Sequence, residues 1–446
     1  MTATPAGGRR RTAIRASIFE LGGFGASQII RLGGNLVLTR LLFPEAFGLA
    51  ALVAIVLQGL ELLSDVGFGQ SVVQNDKGDD PVFLNTAWSL QILRGVILAG
   101  LCLLLAYPFS LLYEEPVLAW LLVVGAGQSL LQGFMSTSLF TLRRRVHVGP
   151  INLLDLAGQI VSVVTMIIWV QFDASVWALI GGGVVRVIFR VIGSHLLPVG
   201  YRNRFGIDRE YRNEILNFGR WILGSTALFF VSRQADRLIV GKLLGVATLG
   251  VYSIAVMLVD VVDMVVARVT SNVFFPIFSQ AGREGGDQLR RIYYRARLGF
   301  DALFVTGLGG LAVVGSLIVD LLWDDRYAEA GWMFEILCVR VAMSVILYPC
   351  DRCLLAMGEG RYPFYRSLVR AIWIVVGVPV GYAYAGIEGL ITAAALAEVP
   401  VFFVLWPAFF RKGMLRIERE LFAFACFGGG YAVATLLEPW LAGWVS

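Results

Sequence analysis

Arg31 and Glu61 lie inside long apolar runs, and 202 residues further on Arg233 and Asp263 do the same. A charged side chain at the centre of a bilayer costs ~2.5–3.5 kcal/mol on insertion scales, so each such group faces a partner or a watery cavity. A guanidinium fork matches the charge and the oxygens of a diphosphate, which makes Arg31 and Arg233 candidate diphosphate-binding residues. Arg94 and Arg340, also in mid-run, are candidates for the same task. The carboxylates Glu61, Asp260 and Asp263 could hold a coupling proton or sodium ion, because a carboxylate beside an arginine changes protonation when that partner is drawn away. Asp236 and Arg237, nearer the outer end of their run, are gating or capping candidates. A structural Arg–carboxylate pair, silent in any transport step, is the competing reading for Arg31 with Glu61 and for Arg233 with Asp263. Arg186, Asp301 and Glu398 are further mid-run charges, whereas Arg190 and Arg370 lie close enough to the end of their runs to snorkel.

The remaining chemistry-bearing groups carry less. Cys350-Asp-Arg-Cys353 has metal or redox spacing, but it is a single pair at a helix end, and five cysteines cannot all pair. His147 and His195 stand alone beside arginines. Asp79-Asp80 and Asp324-Asp325 are not set in a nucleotide-binding domain, and there is no phosphate loop. No catalytic residue, metal or cofactor is expected.

The elements that must position these residues are membrane helices. Of 446 residues 57% are apolar and 15% charged, against about a quarter charged in ordinary soluble chains, and the mean hydropathy is +0.74. Such a composition excludes a soluble enzyme, a secreted module and a disordered tail. Stretches of about 20 apolar residues bounded by charge, Pro or Gly fall at roughly 14–41, 46–72, 82–107, 116–142, 149–171, 174–198, 212–241, 247–277, 288–322, 328–357, 362–384 and 386–410. A thirteenth at 420–445 carries Gly428, Gly429, Gly430 and Pro439, so its depth is open. With the amino terminus inside, alternate segments hold 23 lysines and arginines: Arg9, Arg10, Arg11 and Arg15, then Lys77, then Arg143 to Arg145, then Arg202 to Arg212, then Arg283 to Arg297, then Arg361 and Arg366, then Arg411 to Arg419. The opposite segments hold only Arg40, Lys242 and Arg326. That asymmetry predicts a cytoplasmic amino terminus. It also accounts for the net charge of +5 without nucleic acid as a partner.

The chain is duplicated. At an offset of 202, Arg40-Leu41-Leu42 falls on Lys242-Leu243-Leu244, Gly48 on Gly250, Gly22 on Gly224, Arg31 on Arg233 and Glu61 on Asp263. Six crossings in each half start both halves on the same side, which predicts a parallel repeat about an axis along the membrane normal with a central cleft. The expected fold is an all-α polytopic bundle with a first lobe over 1–200, a second over 201–411 and an extension over 412–446 with an extra helix.

The run from Leu38 to Gln74, LTRLLFPEAFGLAALVAIVLQGLELLSDVGFGQSVVQ, resembles the first hairpin of bacterial polysaccharide-export flippases. Its repeat from Ala235 to Val259, ADRLIVGKLLGVATLGVYSIAVMLV, resembles the seventh and eighth spans, with Asp236, Gly241, Gly245, Gly250 and Tyr252 as the recurrent polar and small positions. The likeness extends through Phe109-Ser110-Leu111-Leu112-Tyr113 and Leu321-Leu322-Trp323 and covers about residues 15–410. The branch is the oligosaccharide-flippase family of the multidrug, oligosaccharidyl-lipid and polysaccharide exporter superfamily. The resemblance implies a multi-pass protein of the bacterial inner membrane. It would move undecaprenyl-diphosphate-linked oligosaccharide by alternating access, with membrane lipid, a polysaccharide polymerase and export machinery as candidate partners. A departure is the lone thirteenth span, since relatives commonly have twelve or fourteen. Two other readings compete: a drug antiporter of the same superfamily, which favours an anionic cleft, and a membrane sugar-repeat polymerase or ligase, which needs a sizeable outer loop that is missing here.

Overall fold

The computed structural model describes the backbone of residues 6–64, 67–199 and 201–445, with side chains over the same stretches apart from 6–21, 24, 218–225, 441, 442, 444 and 445. The side chains of Arg9, Arg10, Arg11 and Arg15 of the orientation argument, and Gly200 at the expected lobe boundary, lie outside what is described. The chain divides into two compact units, Met1–Ala227 and Leu228–Ser446.

Unit 1 holds α1 (Ala6–Leu41), α2 (Pro44–Leu63), α3 (Phe68–Gln74), α4 (Pro81–Tyr113), α5 (Pro116–Gly133), α6 (Ser138–Arg144), α7 (Gly149–Val170) and α8 (Val176–Leu196). Helix α9 (Arg209–Val269) begins in unit 1. Unit 2 continues with α10 (Phe275–Glu284), α11 (Gly286–Leu322), α12 (Ala330–Ala356), α13 (Tyr362–Ala395), α14 (Val399–Arg411) and α15 (Ile417–Val445). Proline opens α2, α4 and α5. Its fixed φ suits the first helical turn, where its missing N–H would have had no partner.

Two apolar runs break where the sequence predicts unbroken crossings. Past Leu63 the Ser64 hydroxyl turns back on the Leu60 carbonyl at 2.7 Å, and the chain restarts at α3 through Gly67, whose φ is 68°. Between α5 and α6 the Ser136 amide is taken by Ser194 Oγ at 2.9 Å and the Thr137 amide by Asn203 Oδ1 at 3.2 Å. Side-chain acceptors thereby compete with the helical ladder, a local effect that hydropathy does not register. The connection after α8 is strapped to α4 in the same way. Gly206 N–H donates to Ser89 Oγ, Asp208 N–H to Thr86 Oγ1, both at 3.0 Å, and Tyr211 Oη–H to Asp80 Oδ2 at 2.9 Å.

Among the described residues ten helical runs are long and apolar enough to cross a membrane. Two, of 59 and 50 residues, would extend about 88 and 75 Å if straight, well beyond the ~40–45 Å of a bilayer. Each turns over internally, the first at Gly245 (φ 85°, ψ 170°) and the second at Ala385 and Gly386 (φ 58° at the glycine). The φ at Gly245 is one that a Cβ would oppose. With two of the ten divided there are twelve apolar helical segments, and α1, which is not among the ten, stands where the sequence places its first run. Gly245 lies 202 residues after Phe43, the residue between α1 and α2, so the duplication is written in the backbone as well as in the side chains.

Helix α15 settles as a 29-residue helix with no break at its three glycines. It lies so close to α11 that a Cβ on Gly430 would stand 2.1 Å from the Thr306 carbonyl oxygen, and one on Gly309 would stand 2.2 Å from that of Phe427. Small residues at a helix contact are the usual device for packing in lipid. At its first turn both oxygens of Glu420 accept from Arg297 Nη1, at 2.7 and 2.8 Å, and Arg297 also pairs with Asp301 at 2.9 Å. Arg297, counted among the inner basic residues, is thus buried in a protein contact.

Candidate functional site

Unit 2 contains a ladder of charge built on the two limbs of α9. The limb before Gly245 carries Arg233, Asp236 and Arg237, and the limb after it carries Tyr252, Asp260 and Asp263. Folding back at Gly245 sets these residues against one another in antiparallel order. Tyr252 Oη–H donates to Asp236 Oδ2 at 2.8 Å, Arg237 pairs with Asp260 at 2.9 Å, and Arg233 pairs with Asp263 at 2.9 Å. Three apolar-run acids and two arginines each gain a partner from one turn of the chain.

Helix α12 supplies the next layer from a single face, since Arg340, Ser344 and Tyr348 are four residues apart. Arg340 reaches Asp236 at 3.4 Å and Asp260 at 3.9 Å, and Tyr348 Oη–H donates to the Asp263 carboxylate at 3.1 and 3.2 Å. Helix α13 adds Arg366 and Arg370, again four apart, and the turn before α14 adds Glu398. Glu398 binds Arg370 at 2.7 Å, Arg366 at 3.2 Å and the Ser344 hydroxyl at 3.2 Å, while Arg366 stacks 4.3 Å from the Tyr348 ring centre. The network sets five guanidinium groups against four carboxylates. Its interior members, Asp236, Asp263 and Glu398, are buried. Its open edge is formed by the side chains of Arg233, Arg237 and Asp260, which are 29%, 21% and 31% exposed. An anion arriving at that edge would meet Arg233 and Arg237 in competition with Asp263 and Asp260.

The structure brings together six of the residues singled out in the sequence: Arg233, Asp236, Arg237, Asp260, Asp263 and Arg340. It corrects the reading of Arg370, which does not snorkel but is buried against Glu398. Arg190 pairs with Asp155 at 2.8 Å, with both side chains partly exposed. Arg366, counted as an inner-face charge, is 7% exposed and belongs to the network. Asp236, a gating or capping candidate, is buried against Arg340 and Tyr252. Tyr252 was singled out only as a recurrent position, and Tyr348 and the role of Glu398 were missed, although the four-residue spacing of Arg340, Ser344 and Tyr348 was a legible signal.

Unit 1 holds the other half of the candidates. A polar cavity of about 510 Å³ is lined by Gln58 and Glu61 of α2, Gln91 and Arg94 of α4, Gln132 of α5 and Arg143 of α6. Arg94 is anchored by Nε–H to Ser64 Oγ at 2.9 Å and by Nη2 to the Glu61 carbonyl oxygen at 2.6 Å. Its neighbours divide the Arg143–Arg145 run. Arg144 bonds the carbonyls of Val72 and Val73 and pairs with Asp79, Arg145 also pairs with Asp79, and Arg143 faces the cavity. Arg31 lies half-buried on α1.

The family described as polysaccharide biosynthesis protein matches residues 37–331. Among curated proteins, the succinoglycan biosynthesis transport protein ExoT of Rhizobium meliloti (strain 1021) is 23% identical over 81% of this chain and 72% of its own length. The lipopolysaccharide biosynthesis protein WzxC of Escherichia coli (strain K12) is 21% identical over 81% of this chain and 74% of its own. Among solved structures, the lipid II flippase MurJ in an inward closed conformation aligns with a TM-score of 0.74, at 14% identity, over 95% of this chain and 92% of its own. An inward-facing multidrug resistance transporter of the MATE family, in the MOP superfamily, aligns with a TM-score of 0.69, at 12% identity, over 87% of this chain and 94% of its own. The all-helical transporter fold of that superfamily is therefore also the fold of this chain.

Proposed function

We propose, because this chain belongs to the polysaccharide biosynthesis protein family, that it is a flippase carrying a lipid-diphosphate-linked oligosaccharide across the bacterial cytoplasmic membrane. The lipid is undecaprenyl, the amino terminus is cytoplasmic, and the two six-helix halves, 1–200 and 201–411, give alternating access. The names of relatives in succinoglycan and lipopolysaccharide biosynthesis support the glycan, and the fold shared with a lipid II flippase supports the lipid carrier.

The observation that carries this reading is the half-open pair Arg233–Asp263, whose arginine is 29% and whose aspartate is 5% exposed. A diphosphate that engages the Arg233 fork draws it from Asp263 and leaves Tyr348 as the aspartate's remaining donor, so that binding is coupled to rearrangement of α9 against α12. Asp263 would then be the group best placed to take up a coupling proton, with Asp236 and Asp260 behind it. Arg31, at the matching position of the first half, is the second fork, with Arg94 and Arg340 as further candidates. Products would pass to a polymerase and export machinery.

The test is export in cells whose own copy is deleted. Arg233→Lys keeps the charge but removes the fork and should lose most export at normal abundance. The double change Arg233→Gln with Asp263→Asn removes both charges together, which spares the stability that a lone buried aspartate would cost. Normal export by a normally abundant double variant would refute a diphosphate role for Arg233.

A further inference from the structure

The cavity of unit 1 sets acceptors among its donors and cations, which a diphosphate alone would not use. Diphosphate oxygens only accept hydrogen bonds and carry negative charge, so their sites collect donors and cations. Here three carboxamides, Gln58, Gln91 and Gln132, and the carboxylate of Glu61 share the lining with three guanidinium groups, Arg94, Arg143 and Arg190, of which Arg190 is already paired with Asp155. A carboxylate opposes a phosphate, and a carboxamide oxygen has nothing to take from one. A hydroxyl group, which both donates and accepts, satisfies each of them.

Gln91 makes the argument specific. It is 8% exposed, and its Nε2 points at the carbonyls of Gln132, Gly133 and Met135, at 3.3, 3.1 and 3.0 Å. With the amide hydrogens committed to backbone, the atom Gln91 can offer to a ligand is Oε1, an acceptor. Phe140 lines this cavity and an adjoining one of about 380 Å³ that shares Gln91, Arg94 and Arg143. An aromatic face between two polar chambers suits the C–H face of a pyranose ring. The cavity also falls within the ~300–1,000 Å³ typical of small-molecule sites.

We infer that this cavity receives the sugars nearest the lipid diphosphate, with Gln91 Oε1 and Glu61 accepting from their hydroxyls and Gln58, Gln132, Arg94 and Arg143 donating to their oxygens. The inference rests on the flippase reading above and reassigns Arg94 from the diphosphate to the glycan. It makes unit 1 the part of the chain that distinguishes one saccharide from another.

The test uses the full-length protein and native mass spectrometry with four probes: undecaprenyl diphosphate alone, and the same lipid bearing a single glucose, galactose or N-acetylglucosamine. At least one glycosylated probe should bind more tightly than the bare lipid, on the order of tenfold for about two net hydrogen bonds. Gln58→Leu and Gln132→Leu should each reduce that advantage without changing the affinity for bare undecaprenyl diphosphate. Gln91→Leu is a third variant, read only where its abundance is normal, because that side chain also braces the end of α5. No glycosylated probe gaining on the bare lipid would overturn the inference, as would an advantage that persists in both the Gln58 and Gln132 variants. A parallel loss of bare-lipid binding in those variants would also overturn it, by making the cavity a diphosphate site. Failure of the wild-type protein to bind undecaprenyl diphosphate at all would instead remove the flippase reading itself.

Discussion

Changing Glu398 to Gln asks whether the network of unit 2 is held by balance of charge. Glu398 is fully buried and serves two guanidinium groups, Arg370 at 2.7 Å and Arg366 at 3.2 Å. A neutral amide deprives both. Arg366 keeps the attraction of Asp351, whereas the other arginines that act on Arg370, Arg233 and Arg340, repel it. The variant therefore buries one uncompensated cation. Removing one partner of a buried pair costs about 3–5 kcal/mol. At ~2–4 °C per kcal/mol for a unit of this size, the melting temperature should fall by roughly 6–20 °C. Arg370→Gln alone leaves Glu398 paired with Arg366 and should cost less. The double variant Arg370→Gln with Glu398→Gln removes the orphaned charge together with its partner and should recover most of the loss. Thermal unfolding in detergent, with membrane abundance in cells, measures all three. A Glu398→Gln protein that melts with the wild type would refute the charge-balance reasoning, and so would a double variant no more stable than Glu398→Gln.

Gly430→Ala should push α15 off α11, because the new Cβ would sit 2.1 Å from the Thr306 carbonyl oxygen. The expected loss is on the order of 1–3 kcal/mol, read by thermal unfolding and by protease access to the carboxy-terminal helix, and an unchanged melting temperature would contradict the packing. Asp80 caps α4, and its carboxyl is held below the usual range by the Val82 N–H and then by Tyr211 Oη–H. Its contribution to stability is therefore present above the ordinary value of ~3.9 and is lost as pH falls through the lower folded value, so Asp80→Asn should flatten the acid limb of a stability–pH curve. For orientation, a cysteine at Glu114, on a cysteine-free background, should react with an impermeant maleimide in intact cells while one at Arg204 should not. The opposite pattern would invert the topology.

The repeat was legible because it is carried by residues that apolar surroundings tolerate only for a reason. Arg31 matched to Arg233, and Glu61 matched to Asp263, survive at a fixed offset, and the turn at Gly245 falls where Phe43 foretells it. The candidate ladder was partly legible for the same cause. Antiparallel limbs on either side of a turn bring residues of similar depth side by side, which foretold Arg233 with Asp263. The contributions of Arg340, Tyr348, Arg366 and Glu398 needed the arrangement of α12, α13 and the turn before α14, elements that the chain brings together across long stretches of sequence.

The sequence by itself determined the membrane character of the chain, the duplication and the family branch, because hydropathy and the offset of 202 are one-dimensional quantities that need no knowledge of packing. Beyond the pair Arg233–Asp263, tertiary structure decided which charges are partners and which face a cavity. Arg370 sits at a depth that permits snorkelling, yet a carboxylate within reach, Glu398, holds it in the protein. The three arginines 143–145 are equivalent to a count of charge, but α6 turns Arg144 and Arg145 onto Asp79 and leaves Arg143 facing the cavity. Depth follows from position along the chain, whereas partnership follows from the rotation of each helix about its axis, which is set only when neighbouring helices pack.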